Sequence, residues 1–413
     1  MRATTLLRNV LGLKHIRILG TKFDSKGLFI DVKPTWKTSR CGKCGHRVRA
    51  SYDHRTRSWR HLDLGGMVTK LRYRIGRVDC PKHGVTVEKV PWADHDSRYS
   101  RPFENQVAYL TQHCDKTMVS NLMRISWLTV GSIVSRVIER EGPSMAERLE
   151  GLRIIGIDEL SYRKHHKYLT IVTNQLTGKV VWIAEGKNAE TLGAFFQSLG
   201  AEGRAQIEAV TTDLSGAFIK AVTDAVPHAK LIFDRFHVQK LVHDALDEVR
   251  RELVREQEDD EDKKAIKGTR WALQKNPWNL SELETAKLSE LQRSNEPLYR
   301  AYLLKESIVA IFDRRQPGVA KQKLDEWLDW ASRSRLKPFV RLSKTIRKHM
   351  GGIIEYIRTR LSNGLVEGIN RKARTITARA YGFQLASSFM AMIYLCCSGI
   401  ELSPSHIRPF ETH

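Results

Sequence analysis

The chain has 413 residues, 41% of them hydrophobic, which is enough for at least one sizeable core and room for two to four domains. Lysine and arginine number 69 against 46 aspartates and glutamates, and the resulting net charge of +23 favours a polyanionic partner, because each neutralised phosphate releases condensed counterions. No run of about 18 apolar residues is present to span a membrane, the short apolar stretch at the start contains Arg8 and Asn9, unlike a secretion signal, and six cysteines are too few for a disulfide scaffold; a cytoplasmic, nucleoid-associated protein is expected.

Residues 1–100 mix short β-like runs, at 27–32 and 68–75, with turn chemistry and many basic residues. Within them lie Cys41-Gly-Lys-Cys44 and, further on, Cys80-Pro-Lys-His83. Two such knuckles supply four ligands of the softness that one closed, tetrahedral structural Zn²⁺ requires, with His46 as a competitor to His83 for the fourth position. A small segment of this kind buries little, so the metal is expected to supply folding energy to a zinc-ribbon DNA-binding region. Cys114, Cys396 and Cys397 read as small buried hydrophobes.

Residues 101–142 change to helical periodicity. Val130, Ile133, Val134, Val137 and Ile138 follow i, i+3, i+4, i+7, i+8 spacing behind Thr129, a plausible N-cap. A shorter helix over 117–125 precedes this one, and the pair reads as a helix-turn-helix, although any αα-hairpin would show the same pattern. The polar side carries Ser132, Ser135, Arg136 and Arg140; Ser132, Arg136 and Arg140 are the candidates for contacting DNA.

After a polar linker the elements run strand 153–157, strand 168–173, strand 179–185, helix 189–199, strand 207–212, helix 215–225, strand 230–233, and a helix from about 236. Three strands followed by helix, strand, helix, strand is the order of an RNase H-like core, in which the first and fourth strands lie side by side. That adjacency brings together Asp158 and Asp213, each at the end of an apolar run. The first part of this core is assigned to 150–243.

Residues 244–350 lose the β pattern and read as an all-α insertion, with an acidic cluster at 256–262 and four tryptophans, Trp271, Trp278, Trp327 and Trp330. Most tryptophans in such a segment are core; an exposed one could stack on an unpaired base, with Trp271 or Trp278, near Asn276-Pro277, the choice for DNA contact. Residues 351–400 return to the core and 401–413 form a tail. A helix over 361–379 would put Asn363, Glu367, Asn370, Arg371 and Arg374 on one face. That face fits a metal carboxylate beside a phosphate track, with Arg371 and Arg374 on the track; the plainer alternative is a surface pair between Glu367 and Arg371. Two carboxylates at adjacent strand ends and a third on a helix could hold two Mg²⁺ or Mn²⁺ ions for phosphodiester chemistry. Arg163 and Lys164, with His165 and His166, would track phosphates nearby. The expected fold is multidomain α/β: an RNase H-like mixed sheet interrupted by an all-α insertion, preceded by a zinc ribbon and a helix-turn-helix.

These segments together resemble a bacterial insertion-sequence transposase of the DDE type, in the ISL-three group. The resemblance runs through Cys41, Cys44, Cys80 and His83, Ile157-Asp-Glu-Leu-Ser-Tyr-Arg-Lys164, Phe233-Asp-Arg-Phe-His-Val238, Ser362-Asn-Gly-Leu-Val-Glu-Gly-Ile-Asn370 and Ala380-Tyr-Gly-Phe383, in order and over nearly the whole length. It departs at His83, where many such ribbons have Cys. The resemblance implies Asp158, Asp213 and Glu367 as the catalytic triad and Asp234-x-x-His237 as the signature following the second Asp. It also implies double-stranded DNA partners, both transposon ends and target, and at least a homodimer bridging two ends. A DNA-binding regulator with an inactive RNase H-like domain is the competing reading.

Overall fold

The computed structural model describes residues 3–49, 51–163, 167–383 and 385–403, and of Ala3, Ser51 and Arg163 only the backbone; Lys164, His165 and His166 lie outside the described residues. The chain divides into two compact units. One holds residues up to 143 with 378–381 and those from 387 on; the other holds 144–377 with 382–386.

The first unit opens with α1 (Ala3–Leu11) and a five-stranded sheet of β1 (Ile16–Asp24), β2 (Gly27–Pro34), β3 (Ser51–Leu64), β4 (Met67–Cys80) and β5 (Gly84–Val87). The strand order is β1-β2-β4-β3 with β5 on β4; β2 and β4 run parallel and the other pairs antiparallel. Alternation of side chains sends Leu28, Ile30, Trp59 and Leu71 to one face, where they are buried with Trp92. The Trp59 and Trp92 rings meet edge to face at 5.4 Å, the geometry that the ring quadrupoles favour. This core corrects the expectation of a region that buries little. The zinc knuckles sit at one end of a sheet that has its own apolar layer.

Helices α2 (Arg101–His113), α3 (Lys116–Met123) and α4 (Trp127–Glu141) follow. The N-cap of α4 is Ser126, whose hydroxyl accepts the Thr129 N–H at 3.3 Å; Thr129 is already inside the first turn, and the expected cap at that position is corrected accordingly. The three helices close around Phe103, Val107, Val119, Val130, Ile133, Val134 and Val137, joined by Leu395 from the last helix, Ala386–Cys397. That last helix was expected in the second part of the RNase H-like core and instead packs in the first unit. Gln112 fixes it by donating to the carbonyls of Leu395 and Ile400 at 2.8 and 3.2 Å. Of the remaining cysteines Cys397 is buried, while Cys114 and Cys396 are half-buried.

The second unit begins with α5 (Met145–Leu149), capped by a Ser144–Glu147 capping box. Its sheet comprises β6 (Ile154–Arg163), β7 (Lys167–Asn174), β8 (Lys179–Glu185), β9 (Ala209–Thr212) and β10 (Lys230–Phe233), with α6 (Ala189–Ser198), α7 (Gly200–Ala205) and α8 (Gly216–Ala225) in the connections. The order is β10-β9-β6-β7-β8, with β6, β9 and β10 parallel and β6, β7, β8 antiparallel. This is the RNase H-like arrangement, and the first and fourth strands are neighbours. The strands read as near-continuous apolar runs because both faces are covered. Phe195, Phe196 and Phe218, from α6 and α8, fill one side.

A long helix α9 (Arg235–Glu256) leads into α10 (Asp260–Lys267), α11 (Arg270–Gln274), α12 (Glu282–Ser294), α13 (Glu296–Phe312), α14 (Pro317–Arg333) and α15 (Lys337–Lys348), an all-helical segment. Helix α16 (Met350–Thr359) returns to the sheet and packs on β10. Gly352 makes that approach possible: a Cβ there would fall 2.4 Å from the Phe233 ring. Then come α17 (Gly364–Arg379) and the last helix, α18. No described helix is long and apolar enough to cross a membrane.

Candidate catalytic edge and zinc centre

Strands β6 and β9 pair in parallel up to Gly156 and Thr211, and Asp158 and Asp213 each follow two residues later. β9 and β10 pair up to Thr212 and Phe233, so Asp213 and Asp234 each stand one residue past that pair. Three acids therefore gather at the carboxyl ends of three adjacent parallel strands, where ligand sites in such sheets form. Asp158 does not end its strand, as the apolar run suggested. β6 outlasts its parallel neighbour and continues to Arg163, pairing antiparallel with β7.

Each carboxylate is held. Asp158 accepts the Glu159 N–H at 2.8 Å on one oxygen and the Asn370 amide at 2.7 Å on the other. Asp213 accepts the Ser215 N–H at 2.9 Å. Burial pushes the Asp158 carboxyl up to about 6, the Glu159 amide and His237 oppose that rise, and the charges of Asp213 and Glu159 add to it. Asp234 is also raised, first by burial, against His237 and the backbone amides of Phe236 and Asn363, with the charge of Glu367 adding to the rise. His237, in the first turn of α9, is thus within electrostatic reach of both Asp158 and Asp234.

Helix α17 covers this edge. Gly156 admits it: a Cβ there would lie 2.6 Å from Val366 Cγ2 and 2.1 Å from Gln175 Nε2. Helix α17 starts at Gly364 and not at residue 361, so Asn363 precedes it. Asn363 is buried, donates to the Ile157 carbonyl at 3.1 Å and accepts from Thr211 Oγ1, clipping β6 to β9. The expected common face is accordingly divided: Asn363 and Asn370 turn to the sheet, while Glu367, Arg371 and Arg374 are exposed. Glu367 makes no ion pair with Arg371 among the described residues. The roles of Asn363 and Asn370 as supports were not read from the sequence; two Asn flanking an isolated Glu on a helix were the available signal.

None of Asp158, Asp213, Asp234 and Glu367 forms a salt bridge with lysine or arginine among the described residues. Acids gathered at one strand edge, with Asp234 buried and none of them paired with lysine or arginine among the described residues, suit a divalent cation. Their oxygens are less tightly gathered than the ribbon ligands. Among the described residues the one group of His, Cys, Asp or Glu with ligand atoms all within 4.8 Å of one another is Cys41, Cys44, Cys80 and His83.

In that group Cys44 Sγ lies 3.7 Å from Cys80 Sγ, and His83 Nδ1 lies 3.8 and 3.7 Å from Cys41 and Cys80 Sγ. A tetrahedron with Zn–S bonds of about 2.3 Å has S–S edges of about 3.8 Å, so the four atoms fit a closed zinc site. His46 stays outside the cluster; it shapes the knuckle through its carbonyl, which accepts the Cys41 N–H at 2.8 Å.

The proposed DNA-contacting residues separate. Ser132 is exposed on α4. Arg136 and Arg140 are committed inside the first unit. Arg136 grips the buried Glu104 carboxylate at 2.8–2.9 Å, and Arg140 binds Glu104 at 2.9 Å as well as Asp94, Asn105 and Glu141. Guanidiniums so occupied hold α4 to α2, so the two arginines expected to contact DNA are engaged within the protein in this structure. The exposed first turn of α4 instead presents Leu128, 75% exposed, and Trp127, over whose ring Lys116 Nζ sits. The helical phase of Val130, Ile133, Val134 and Val137 already turns Leu128 outward, a signal that could have found it. Trp271 and Trp278 are exposed, with the Arg270 guanidinium 5.3 Å from the Trp271 ring centre, whereas Trp327 is core and donates to the Leu304 carbonyl at 2.8 Å.

Comparison with known proteins agrees with this layout. A transposase family profile matches residues 155–393, a profile for the zinc finger of the IS204/IS1001/IS1096/IS1165 transposases matches 37–83, and a profile for the helix-turn-helix domain of the ISL3 transposase family matches 88–138. The chain is 39% identical to the transposase for insertion sequence element IS1557 of Mycobacterium tuberculosis, across 97% of this chain and 96% of that protein. It is 27% identical to the transposase for insertion sequence element IS1001 of Bordetella parapertussis, across 89% of this chain and 90% of that one. The profile match over more than half the chain and the near full-length likeness to a relative agree: the chain belongs to the ISL3 family of insertion-sequence transposases.

Proposed function

We propose that the protein binds the terminal inverted repeats of its element, cuts the DNA at their ends and joins the freed 3′ ends to target DNA. The observation that carries this reading is the set of carboxylates at the β6, β9 and β10 ends that pair with no lysine or arginine among the described residues. Asp158, Asp213 and Glu367 would hold two Mg²⁺ or Mn²⁺ ions. When bound, such ions activate water or a 3′-hydroxyl and neutralise charge on the phosphate. Asn370 and the Glu159 amide fix both oxygens of Asp158, so that acid needs no rearrangement to act as a ligand. Glu367, exposed at the start of α17, has the side-chain freedom to turn onto the ions when DNA arrives. Arg371 and Arg374, exposed beyond it, follow the phosphates, and Trp271 offers an aromatic face to an unpaired base. Arg163 and Lys164 belong to the same track by their place in the sequence. Asp234 and His237 set the electrostatics beside the ligands. Zinc held by Cys41, Cys44, Cys80 and His83 would stiffen the ribbon, and Ser132 lies on the exposed side of the second helix of the helix-turn-helix. The working assembly is at least a dimer acting on two ends in the cytoplasm, at the nucleoid.

Cleavage of end-containing duplexes in Mg²⁺ by wild type, Asp158→Asn and Glu367→Gln, alongside a binding assay, tests this. Losing a ligand that contributes several kcal/mol of transition-state stabilisation should slow cutting by about a thousandfold with binding retained. Equal cutting by all three removes the triad, and binding without any wild-type cutting points to a regulator.

A further inference from the structure

Helix α15 is the most one-sided in its chemistry. Phe339, Leu342 and Ile346 bury one face against α9 and α14, while Lys337, Arg341, Lys344 and Lys348 stand exposed at i, i+4, i+7 and i+11 on the other. From Arg333 to Lys348 there are seven lysines and arginines and no acid. Arg341 pairs with Glu248 at 2.6 Å, but Lys337, Lys344 and Lys348 make no ion pair among the described residues. An ordinary solvated face intersperses acids; α10, with Asp260, Glu261 and Asp262 beside its lysines, is one in this same unit. The chain passes from α15 through His349 directly into α16, which packs on β10, the strand that Asp234 immediately follows. His349 meets the Phe233 ring edge to face at 5.1 Å.

We propose that the exposed face of α15 is a second DNA-binding surface, one that tracks the phosphate backbone of duplex DNA without reading sequence. The inference builds on the reading of the protein as a DNA end-processing enzyme, but its test does not require cutting. Eleven residues of helix span about 16 Å, close to the axial rise of five base pairs at about 3.4 Å each, so the stripe matches a run of successive phosphates. Lysine, a flexible point charge with a long stem, suits backbone tracking, and base readout would call for planar bidentate groups.

The test uses full-length protein carrying Lys337→Gln, Lys344→Gln and Lys348→Gln together, without added magnesium. Binding is titrated against salt on two duplexes, one with the element's terminal repeat and one unrelated. All three positions are solvent-exposed, and thermal melting checks that folding is unchanged. Removing three phosphate contacts should shallow the log–log salt dependence by about 2 to 3 and weaken binding roughly 10- to 100-fold near physiological salt, equally on both duplexes. A control, Arg255→Gln with Lys264→Gln and Lys267→Gln, removes the same charge next to the acidic cluster and should change binding far less. An equal loss in the control would reduce the effect to net charge and overturn the proposal. So would an unchanged salt slope in the α15 variant, or a loss confined to the repeat. Because binding is scored without catalysis, failure of the triad variants and failure of this surface are separate results.

Discussion

At the scale of single residues, His61 shows what folding does to a titratable group. It is 1% exposed, and its Nδ1 lies 2.7 Å from Ser100 Oγ. Ser100 also accepts the Phe103 N–H as the N-cap of α2, so its hydroxyl proton is free to point at Nδ1. The neutral ring with its proton on Nε2 satisfies that arrangement, an assignment made from hydrogen bonding. Burial pushes the His61 ring down to about 4, against the pull of the Leu11 backbone and of Asp63. The folded value lies below the unfolded one of about 6.5, so between the two the unfolded chain binds the extra proton. Stability is therefore complete above about pH 6.5 and falls as pH drops toward 4, by up to about 3 kcal/mol from this group. Urea unfolding at pH 7.5 and 4.5, compared between wild type and His61→Asn, isolates the term, since acid loss of zinc is common to both. An equal pH dependence in the two proteins would show that His61 titrates normally. Neither His61 nor the Glu104–Arg136–Arg140 cluster was legible in the sequence. Their partners come from α1, the loop before α2 and the far turns of α4, and no local pattern encodes such pairings.

At the scale of elements, the seating of α17 on β6 decides whether the candidate site exists at all. Gly156 is the point of contact: its missing side chain is the space that Val366 and Gln175 fill. Gly156→Ala should destabilise the second unit by about 1–3 kcal/mol through overpacking. It should also slow end cleavage more than it weakens end binding, because lifting α17 moves Asn370 from Asp158 and carries Glu367 with it. Calorimetry and single-turnover cleavage measure the two effects; full activity with an unchanged melt would mean that α17 adapts without cost. The sequence made the strands plain, since parallel strands covered on both faces are continuous apolar runs, and their order gave the adjacency of Asp158 and Asp213. It did not reveal how far β6 runs beyond its parallel partner, or that Asn363 stands before α17 and ties β6 to β9. Those depend on register between segments, 206 residues apart in the Asn363–Ile157 bond, and periodicity within one segment carries no information about that.

At the scale of the whole molecule, the chain does not fold in simple succession. Residues 387 onward return to the first unit after more than two hundred residues in the second. Helix α18 escaped its correct assignment because its apolar residues surround it on nearly all sides, which says that it is buried without saying against what. In the structure Leu395 is fully buried among Phe103, Val107, Val130 and Val134, Met392 packs beside it, and Gln112 spends its amide on the carbonyls of Leu395 and Ile400. A fragment ending at Pro143 would keep the ribbon, the sheet and all three helices yet lack this cover. Burying a leucine contributes about 1.5–3 kcal/mol, and a core left with a vacancy that cannot collapse loses up to about 5. Residues 1–143 should therefore bind zinc but melt several degrees below the corresponding transition of the full chain. Supplying residues 386–403 through a short flexible linker should recover most of the difference, as followed by calorimetry and by near-ultraviolet circular dichroism of the helical core. If the short fragment melts at the full-chain temperature, α18 is an ornament on a self-sufficient first unit. If the linked version does not recover, the helix depends on more than the contacts with Gln112 and the α2–α4 core.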